Sequence, residues 1–285
     1  RIKENGSYYL KDESIGNGID VLQDFINEKH LSILKDDKIK KGDGIFVLNK
    51  EELKKLNPNK TEIEKIKPYY TPKQLKKYFG DSKNDYWIIY ADTKVRENIN
   101  NYPHIKEHID KFKKVLTSAF KPYGLHRPRE QRFFEGEKIF SLRKTKEVSF
   151  TYTDFPCYVS RAFLIIKTED INLKYLTGLL NSSLVFFWLK FKGKKQGEQL
   201  QIDKAPLLEI PLYQPEENNK EQQEIINLVD SIRELTKKLQ DVKLDSEKAM
   251  IEKQVSAYEE KIDDLIFKLY GLDKEEIETI KESVK

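Results

Sequence analysis

The chain has 285 residues, of which 38% are hydrophobic and 35% charged, and its 15 Tyr, 15 Phe and 2 Trp supply anchors for a core. This composition fits one large domain plus a smaller appendage and excludes disorder throughout. No segment approaches the roughly 18 consecutive apolar residues of a membrane span, and the one cysteine, Cys157, excludes an internal disulfide framework and a Cys-rich zinc site. The expected setting is cytoplasmic, with no membrane partner.

The net charge of +4 conceals an asymmetry. Residues 214–285 carry 12 Lys and Arg against 19 Asp and Glu, a net of −7, which leaves +11 for residues 1–213. The basic part attracts polyanions, and binding of nucleic acid there would release counterions and depend steeply on salt. The shift suggests a boundary between 213 and 214, with the acidic remainder as an appended helical arm. The chain starts at Arg1 with no charged-then-apolar leader, which reads as a piece of a longer polypeptide.

Two Gly turns, Gly16-Asn-Gly18 and Gly42-Asp-Gly44, come first, and the second leads into Ile45-Phe-Val-Leu48, an apolar run that predicts a buried strand. Glu51–Leu56 reads as helix. Within Lys67-Pro-Tyr-Tyr-Thr-Pro-Lys-Gln-Leu-Lys-Lys-Tyr78, Pro72 is placed to open a short basic helix with Lys73, Lys76 and Lys77 on one face. Tyr86–Tyr90 predicts a strand. A helix is expected from Pro103 through Ser118, with Ile105, Ile109, Phe112, Val115 and Leu116 at helical spacing.

Gly124–Arg132 is a basic loop broken by Pro128, and further strands are predicted at Lys138–Leu142, Val148–Thr153 and Tyr158–Ile166. Asn172 is the expected N-cap of a helix over Leu173–Leu180, and Ser182 or Ser183 that of an aromatic helix through Leu189. Gly193–Gln201 follows as a flexible cationic, amide-bearing loop. In the tail, one apolar stripe runs from Ile225 to Val242 and a second, of heptad spacing, from Ile251 to Leu269. Lys243–Lys248 would turn these into an antiparallel hairpin, Gly271 caps the second helix, and Asp273 with Glu276 forms a capping box for a last one. The class is α+β: a mixed sheet followed by an antiparallel helical hairpin.

Most chemistry is poorly represented. His104 and His108 lie one turn apart but lack a third ligand, so they read as exposed helix histidines, and Cys157 reads as a buried, inert thiol. The sequence has no Pro-Asp dipeptide for a nuclease site, no phosphate or dinucleotide loop, and only Asn57-Pro-Asn-Lys60 in place of the Asn-Pro-Pro-aromatic corner that holds a flipped adenine. Binding is what remains. Gly193–Gln201 offers glycines for close approach, ammonium groups for phosphates and glutamines able to pair with adenine, and Arg127, Arg129 and Arg132 add planar donors for guanine edges or phosphates.

Five short motifs then stand in order: Ile15-Gly-Asn-Gly-Ile19; Gly44-Ile-Phe-Val-Leu48 with Glu51-Glu-Leu53; Lys67-Pro-Tyr-Tyr70 with Lys76-Lys-Tyr78; Tyr102-Pro-His-Ile105 with Phe112-Lys-Lys114; and Leu180-Asn-Ser-Ser-Leu184 with Ile210-Pro-Leu212. Together they resemble the TaqI-like C-terminal specificity domain over most of residues 15–212. That family is the target recognition part of adenine-specific DNA methyltransferases and of type IIG enzymes that join cleavage and methylation. The acidic tail, with Leu269-Tyr-Gly-Leu272 and Glu275-Glu-Ile277, resembles the ends of such enzymes.

The resemblance implies double-stranded DNA as partner and a catalytic domain, covalently attached before Arg1 or associated, that would bind S-adenosylmethionine, and magnesium if it cleaves. This chain would hold no cofactor and would not be an enzyme by itself. Base-reading residues of the family vary with the sequence read, so the candidates rest on side-chain chemistry alone. Lys73, Lys194 and Lys195 are expected on phosphates, Gln196, Gln199, Arg127 and Arg129 on base edges, Arg132 on either, and Lys76 and Lys77 among the DNA-binding residues beside Lys73. The rival readings are an RNA-binding module stacking bases on Tyr69, Tyr70 or Trp87, and a protein-interaction scaffold built on the hairpin.

Overall fold

The structure, a computed structural model, describes residues 1–116, 122–216 and 219–284. Within them the first sheet has five strands in the order β1 (Ile15–Asn17), β10 (Phe163–Ile166), β6 (Lys138–Leu142), β8 (Phe150–Thr153) and β4 (Tyr78–Phe79). The second has four, β2 (Val47–Asn49), β5 (Tyr86–Ile89), β3 (Ile66–Tyr70) and β9 (Tyr158–Val159), and the third has three, β11 (Lys194–Gln196), β12 (Gln199–Gln201) and β7 (Lys144–Thr145). Pairing is antiparallel except between β4 and β8 and between β3 and β9. The fold is α+β with mixed sheets, as expected.

The five-stranded sheet separates two cores. Along β10, Leu164 and Ile166 face one core while Phe163 and Ile165 face the other, and β6 splits Ile139 from Phe140 in the same way. Period-2 alternation with both faces apolar gives an unbroken hydrophobic run, the signature of a strand buried on both sides. Each such side chain contributes about 1.5–3 kcal/mol by burial. The expected single strand Tyr158–Ile166 is two strands in two sheets. Polar Ser160 and Arg161 interrupt the run, the Phe163 amide closes a turn on the Ser160 carbonyl at 3.1 Å, and the chain crosses from the second sheet to the first.

Helices in the first half are short: α1 (Ile2–Asn5), α2 (Glu28–Leu34), α3 (Lys50–Leu56), α4 (Lys60–Ile63), α5 (Thr93–Glu97) and α6 (Pro103–Asp110). α6 ends eight residues before the expected Ser118, which lies outside the described residues, although Phe112 and Val115 are buried as expected. The Pro72 helix does not form. The Gln74 side chain accepts from the Thr71 amide and hydroxyl and donates to Asp85 at 2.8 Å, closing a turn, and Leu75 then pairs with Gly80 across a hairpin tip.

The second half holds α7 (Leu173–Leu180), α8 (Ser183–Lys192), α9 (Lys204–Leu208), α10 (Lys220–Leu239), α11 (Asp245–Leu269) and α12 (Lys274–Val284). Asn172 caps α7 and Ser182 caps α8, as the sequence suggests, and the Asp273–Glu276 capping box forms before α12. α10 and α11 pack as an antiparallel hairpin, but their apolar stripe is covered from within the chain. Ile225, Val229, Ile232, Ile262 and Ile266 share one core with α7, α8 and the first sheet. Gly178 permits the close approach of α7 to α10, since a Cβ there would lie 2.7 Å from the Ile225 Cγ2.

The motif Asn181-Ser-Ser183 ties these layers together. The buried Asn181 amide accepts from the Phe150 N–H and donates to the Phe150 carbonyl, both at 2.8 Å, completing the hydrogen bonding of β8 from the end of α7. Ser182 caps α8, and the Ser183 amide and hydroxyl both donate to Asp263 of α11 at 2.8 and 2.5 Å. Asn181→Leu would leave both Phe150 backbone groups buried and unpaired, so it is expected to lower unfolding free energy by about 3 kcal/mol. Urea denaturation beside wild type checks this; a loss under about 1 kcal/mol would show that the amide pairing is not what joins α7 to β8.

Candidate nucleic-acid interface

A cleft of about 690 Å³ opens at the end of the first sheet where β1 and β6 leave and β10 enters. Its lining includes Asp20, Arg143, Lys144, Arg161 and Gln201. The Gly16-Asn-Gly18 segment, expected as a turn, is extended instead, with Gly16 and Asn17 paired to β10 as part of β1, and it brings the chain there. A Cβ on Gly16 would lie 2.6 Å from the Phe133 ring, and one on Gly18 would lie 2.0 Å from the Ser160 carbonyl oxygen, so only glycine lets this segment lie so close to both. The Gly18 amide donates to the Phe163 carbonyl and the Ile19 amide to the Val159 carbonyl, which fixes Asp20 at the cleft.

Asp20 is a hub among basic side chains. Its backbone exchanges hydrogen bonds with Arg127 at 3.1 and 3.4 Å, and its buried carboxylate lies 3.4 Å from Arg161 Nη1 and 3.7 Å from His126 Nε2. Arg129 stands close enough to Arg127, Asp20 and Arg143 for their charges to act on it. Burial first, and then the Arg127 charge, draws its guanidinium below the usual arginine range. Arg129 also has a left-handed backbone, φ 68°, fixed by the Tyr90 hydroxyl donating to its carbonyl at 2.7 Å. Such a conformation costs a non-glycine residue about 1–2 kcal/mol and persists where the surroundings over-determine it.

The expected flexible loop at Gly193–Gln201 is a β-hairpin, turned at Gly197 with φ 63° and extended into a sheet by β7. Alternation in Gln199-Leu200-Gln201 accounts for this: Leu200 is buried beneath, and Gln199 stands exposed. Gln201 pairs in register with Lys194 on one side and Lys144 on the other, giving a cross-strand Lys-Gln-Lys row. The side chains of Lys195 and Gln196 lie outside the described residues.

The sequence candidates thus divide. Arg127, Arg129, Lys194 and Gln199 lie around the cleft and on the adjoining hairpin. Arg132 is turned to Glu130 and the Glu13 carbonyl. Lys73, Lys76 and Lys77 lie by β4, at the far edge of the first sheet from β1, where Lys73 pairs with Asp85, Lys77 pairs with Glu259 of α11 at 2.6 Å, and Lys76 is exposed. Sequence reasoning missed Arg143, Lys144, Arg161 and Asp203, which converge only through strand pairing. The period-2 pattern ending in Gln201 was the one local signal for the third sheet.

No group of His, Cys, Asp and Glu suited to a metal ion occurs among the described residues. The sequence predicts exposed helix histidines on α6, but both are hydrogen-bonded, His104 at a half-exposed position on Glu62 and His108 with its ring turned inward. Burial alone would push the Glu62 carboxyl up, but the amides of Asn59, His104 and Ile105 and the His104 ring outweigh it and hold it below its usual range. His108 Nε2 donates to the Ile45 carbonyl at 3.0 Å, and burial pushes this imidazole down to about 4. Cys157 is fully buried, which pushes its thiol well above the usual range. Tyr69 and Tyr70 are buried in the second core, so neither ring is placed to stack a base, and Trp87 packs against the same core half-buried.

An α+β fold with an arginine-lined cleft and an amide-bearing hairpin at one end of its central sheet is thus the class of this protein. The model of the TaqI-like C-terminal specificity domain matches residues 67–212, and the chain belongs to that family. It is 25% identical over 165 residues to the type II methyltransferase M.HincII of Haemophilus influenzae, covering 50% of this chain and 33% of the relative. A second relative, M.HindII of Haemophilus influenzae (strain ATCC 51907 / DSM 11121 / KW20 / Rd), is 34% identical over 71 residues, 23% of this chain and 14% of its own. The fold is similar to that of the type IIL restriction-modification enzyme MmeI, solved in complex with DNA, with a TM-score of 0.62 at 14% identity over 94% of this chain and 36% of MmeI. The chain therefore spans about a third of the length of M.HincII and of MmeI.

His108 gives the fold a pH dependence. An unfolded histidine takes a proton near 6.5 and the folded one only near 4, so between those values the unfolded state holds more protons. Stability contributed above pH 6.5 is lost as pH falls through this window, by up to about 3 kcal/mol. Urea melts at several pH values check this, and His108→Gln should flatten the slope between pH 6.5 and 4; an unchanged slope would assign it to other groups.

Proposed function

We propose that this chain reads a specific sequence in double-stranded DNA and is the specificity portion of an adenine DNA methyltransferase or a type IIG restriction-modification enzyme. The observation that carries the reading is the cleft itself. Arg127, Arg129, Arg143 and Arg161 gather at one end of the central sheet, next to the Lys194-Gln201-Lys144 row. Guanidinium and amide groups beside exposed ammonium groups supply base-edge readers and phosphate holders together. The family, the two methyltransferase relatives and the DNA-bound state of MmeI support the same reading.

In this reading methyl transfer belongs to a catalytic domain attached to or associated with this one, in a cytoplasmic enzyme. S-adenosylmethionine does not fit the residues here. Among the described residues the one direct strand-to-helix corner, β2 into α3, has its amides occupied: Asn49 takes those of Glu51 and Glu52, and Glu52 takes those of Asn49 and Gly44. Magnesium would be needed by the parent only if it also cleaves. The division at 213 and 214 is then one of charge and role, while the packing is continuous across it.

The test is binding to duplex DNA over a salt series. Log affinity should fall against log salt with a slope of roughly −4, and Lys144→Ala and Lys194→Ala should each reduce that slope by about one. Tighter binding of single-stranded RNA than of duplex, or affinity indifferent to salt, would overturn the reading.

A further inference from the structure

Asp203 occupies the N-cap position of α9, where a carboxylate ordinarily accepts the first amides of its helix, yet it makes no side-chain cap bond. Its two oxygens are engaged elsewhere. Oδ1 accepts from Arg143 Nη2 at 2.5 Å, and Oδ2 accepts from Gln201 Nε2 at 2.7 Å. Asn17, the last residue of β1, accepts from Arg143 Nη1 at 3.1 Å, so the guanidinium is held at both ends. The backbone carbonyl of Arg143 accepts from the Ile202 amide at 2.8 Å, and its amide donates to the Ala162 carbonyl at 2.9 Å, so the segments carrying Arg143 and Gln201 are fixed to each other and to the turn before β10.

These contacts leave capacity facing the cleft that both side chains line. A guanidinium has five N–H donors, and two of those on Arg143 are used; the Gln201 amide keeps one N–H and its carbonyl oxygen. A guanidinium held in one plane matches the O6 and N7 acceptors of guanine, and an amide beside it matches the edge of a neighbouring base. Lys144 and Lys194 flank Gln201 in register, where ammonium groups can hold phosphates without reading sequence.

We propose that Arg143 and Gln201 are the base-reading pair of this cleft and that Asp203 is the positioning residue that presents them, which rests on the DNA reading above. Forgoing the helix cap for this clamp is the feature that a merely structural aspartate does not explain. Precision at a binding site comes from side chains locked by a supporting shell, and Asp203 and Asn17 form that shell.

The experiment is selection of bound duplexes from a randomised pool by the full-length protein, with melting temperature and affinity for an unrelated duplex measured alongside. Wild type is expected to fix a guanine at one position. Arg143→Lys, which keeps the charge but not the planar fork, should reduce the preference there at least tenfold. Asp203→Asn should weaken the same position by a similar factor, with affinity for the unrelated duplex within twofold of wild type and with melting temperature and salt slope unshifted. Gln201→Ala, at a half-exposed strand position, should flatten the adjoining base pair. Full guanine preference in Asp203→Asn alongside its loss in Arg143→Lys overturns the positioning role, and unchanged preferences in Arg143→Lys and Gln201→Ala overturn the pair. Selection of no sequence by wild type overturns the DNA reading itself, and the inference with it.

Discussion

The structure depends on a sheet that is apolar on both faces. Because Leu164 and Ile166 point one way and Phe163 and Ile165 the other, β10 can be stable only if both of its sides are covered. The two covers are different in kind. One is the second sheet with the short helices of the first half, and the other is α7, α8 and the helical hairpin. Neither cover crosses the end of the sheet where Asn17, Arg143 and Arg161 emerge, and the cleft forms there because the strands end while the two cores continue beside them.

This places the acidic tail in a new light. By charge it is a separate part, yet by packing it is one wall of a core. Asp263 accepts both donors of Ser183, Glu259 pairs with Lys77, and the Tyr270 hydroxyl bonds both the Pro211 carbonyl and the Tyr213 amide. Partly buried pairs of this sort fix the orientation of one layer on another more than they add stability. Removing the tail would strip apolar surface from α7 and α8, so its acidity is better understood as the solvated outer face of a structural layer than as a free arm.

What was legible in the sequence follows the range of the interactions. Asn172, Ser182 and the Asp273–Glu276 box act within one helical turn, and each does what its residue type implies. The heptad stripe of the tail and the strand at Tyr86–Ile89 were equally plain, since periodicity is local. Pro72 misled because the rule for helix starts competes with the Gln74 side chain, whose partner Asp85 lies eleven residues away. Tyr158–Ile166 misled because its apolar, β-branched and aromatic content outweighs the short Ser160-Arg161 break at which the chain passes between two sheets. The cleft was the least legible part. Gln201 was visible as one amide among several, but Arg143 and Asp203 lie sixty residues apart and meet only once β7 pairs with β12.

That assembly from distant segments has a functional logic. The cleft takes side chains from the segment after β1, the end of β6, the turn before β10 and the strand β12, with the Arg127–Arg129 loop beside it, and each segment is anchored through backbone bonds: Ile19 to Val159, Asp20 to Arg127, Arg143 to Ala162 and Ile202 to Arg143. Backbone anchoring does not depend on which side chain is carried. The surface can therefore change its donors and acceptors while the strands that hold them stay in place, and the apolar part of the lining, Ile19 and Val21, stays with the second core. The glycines are the exception: Gly16 and Gly18 lie against Phe133 and Ser160 with no room for a Cβ, so the approach of β1 to the cleft is set by packing, and only the residues beyond it are open to variation.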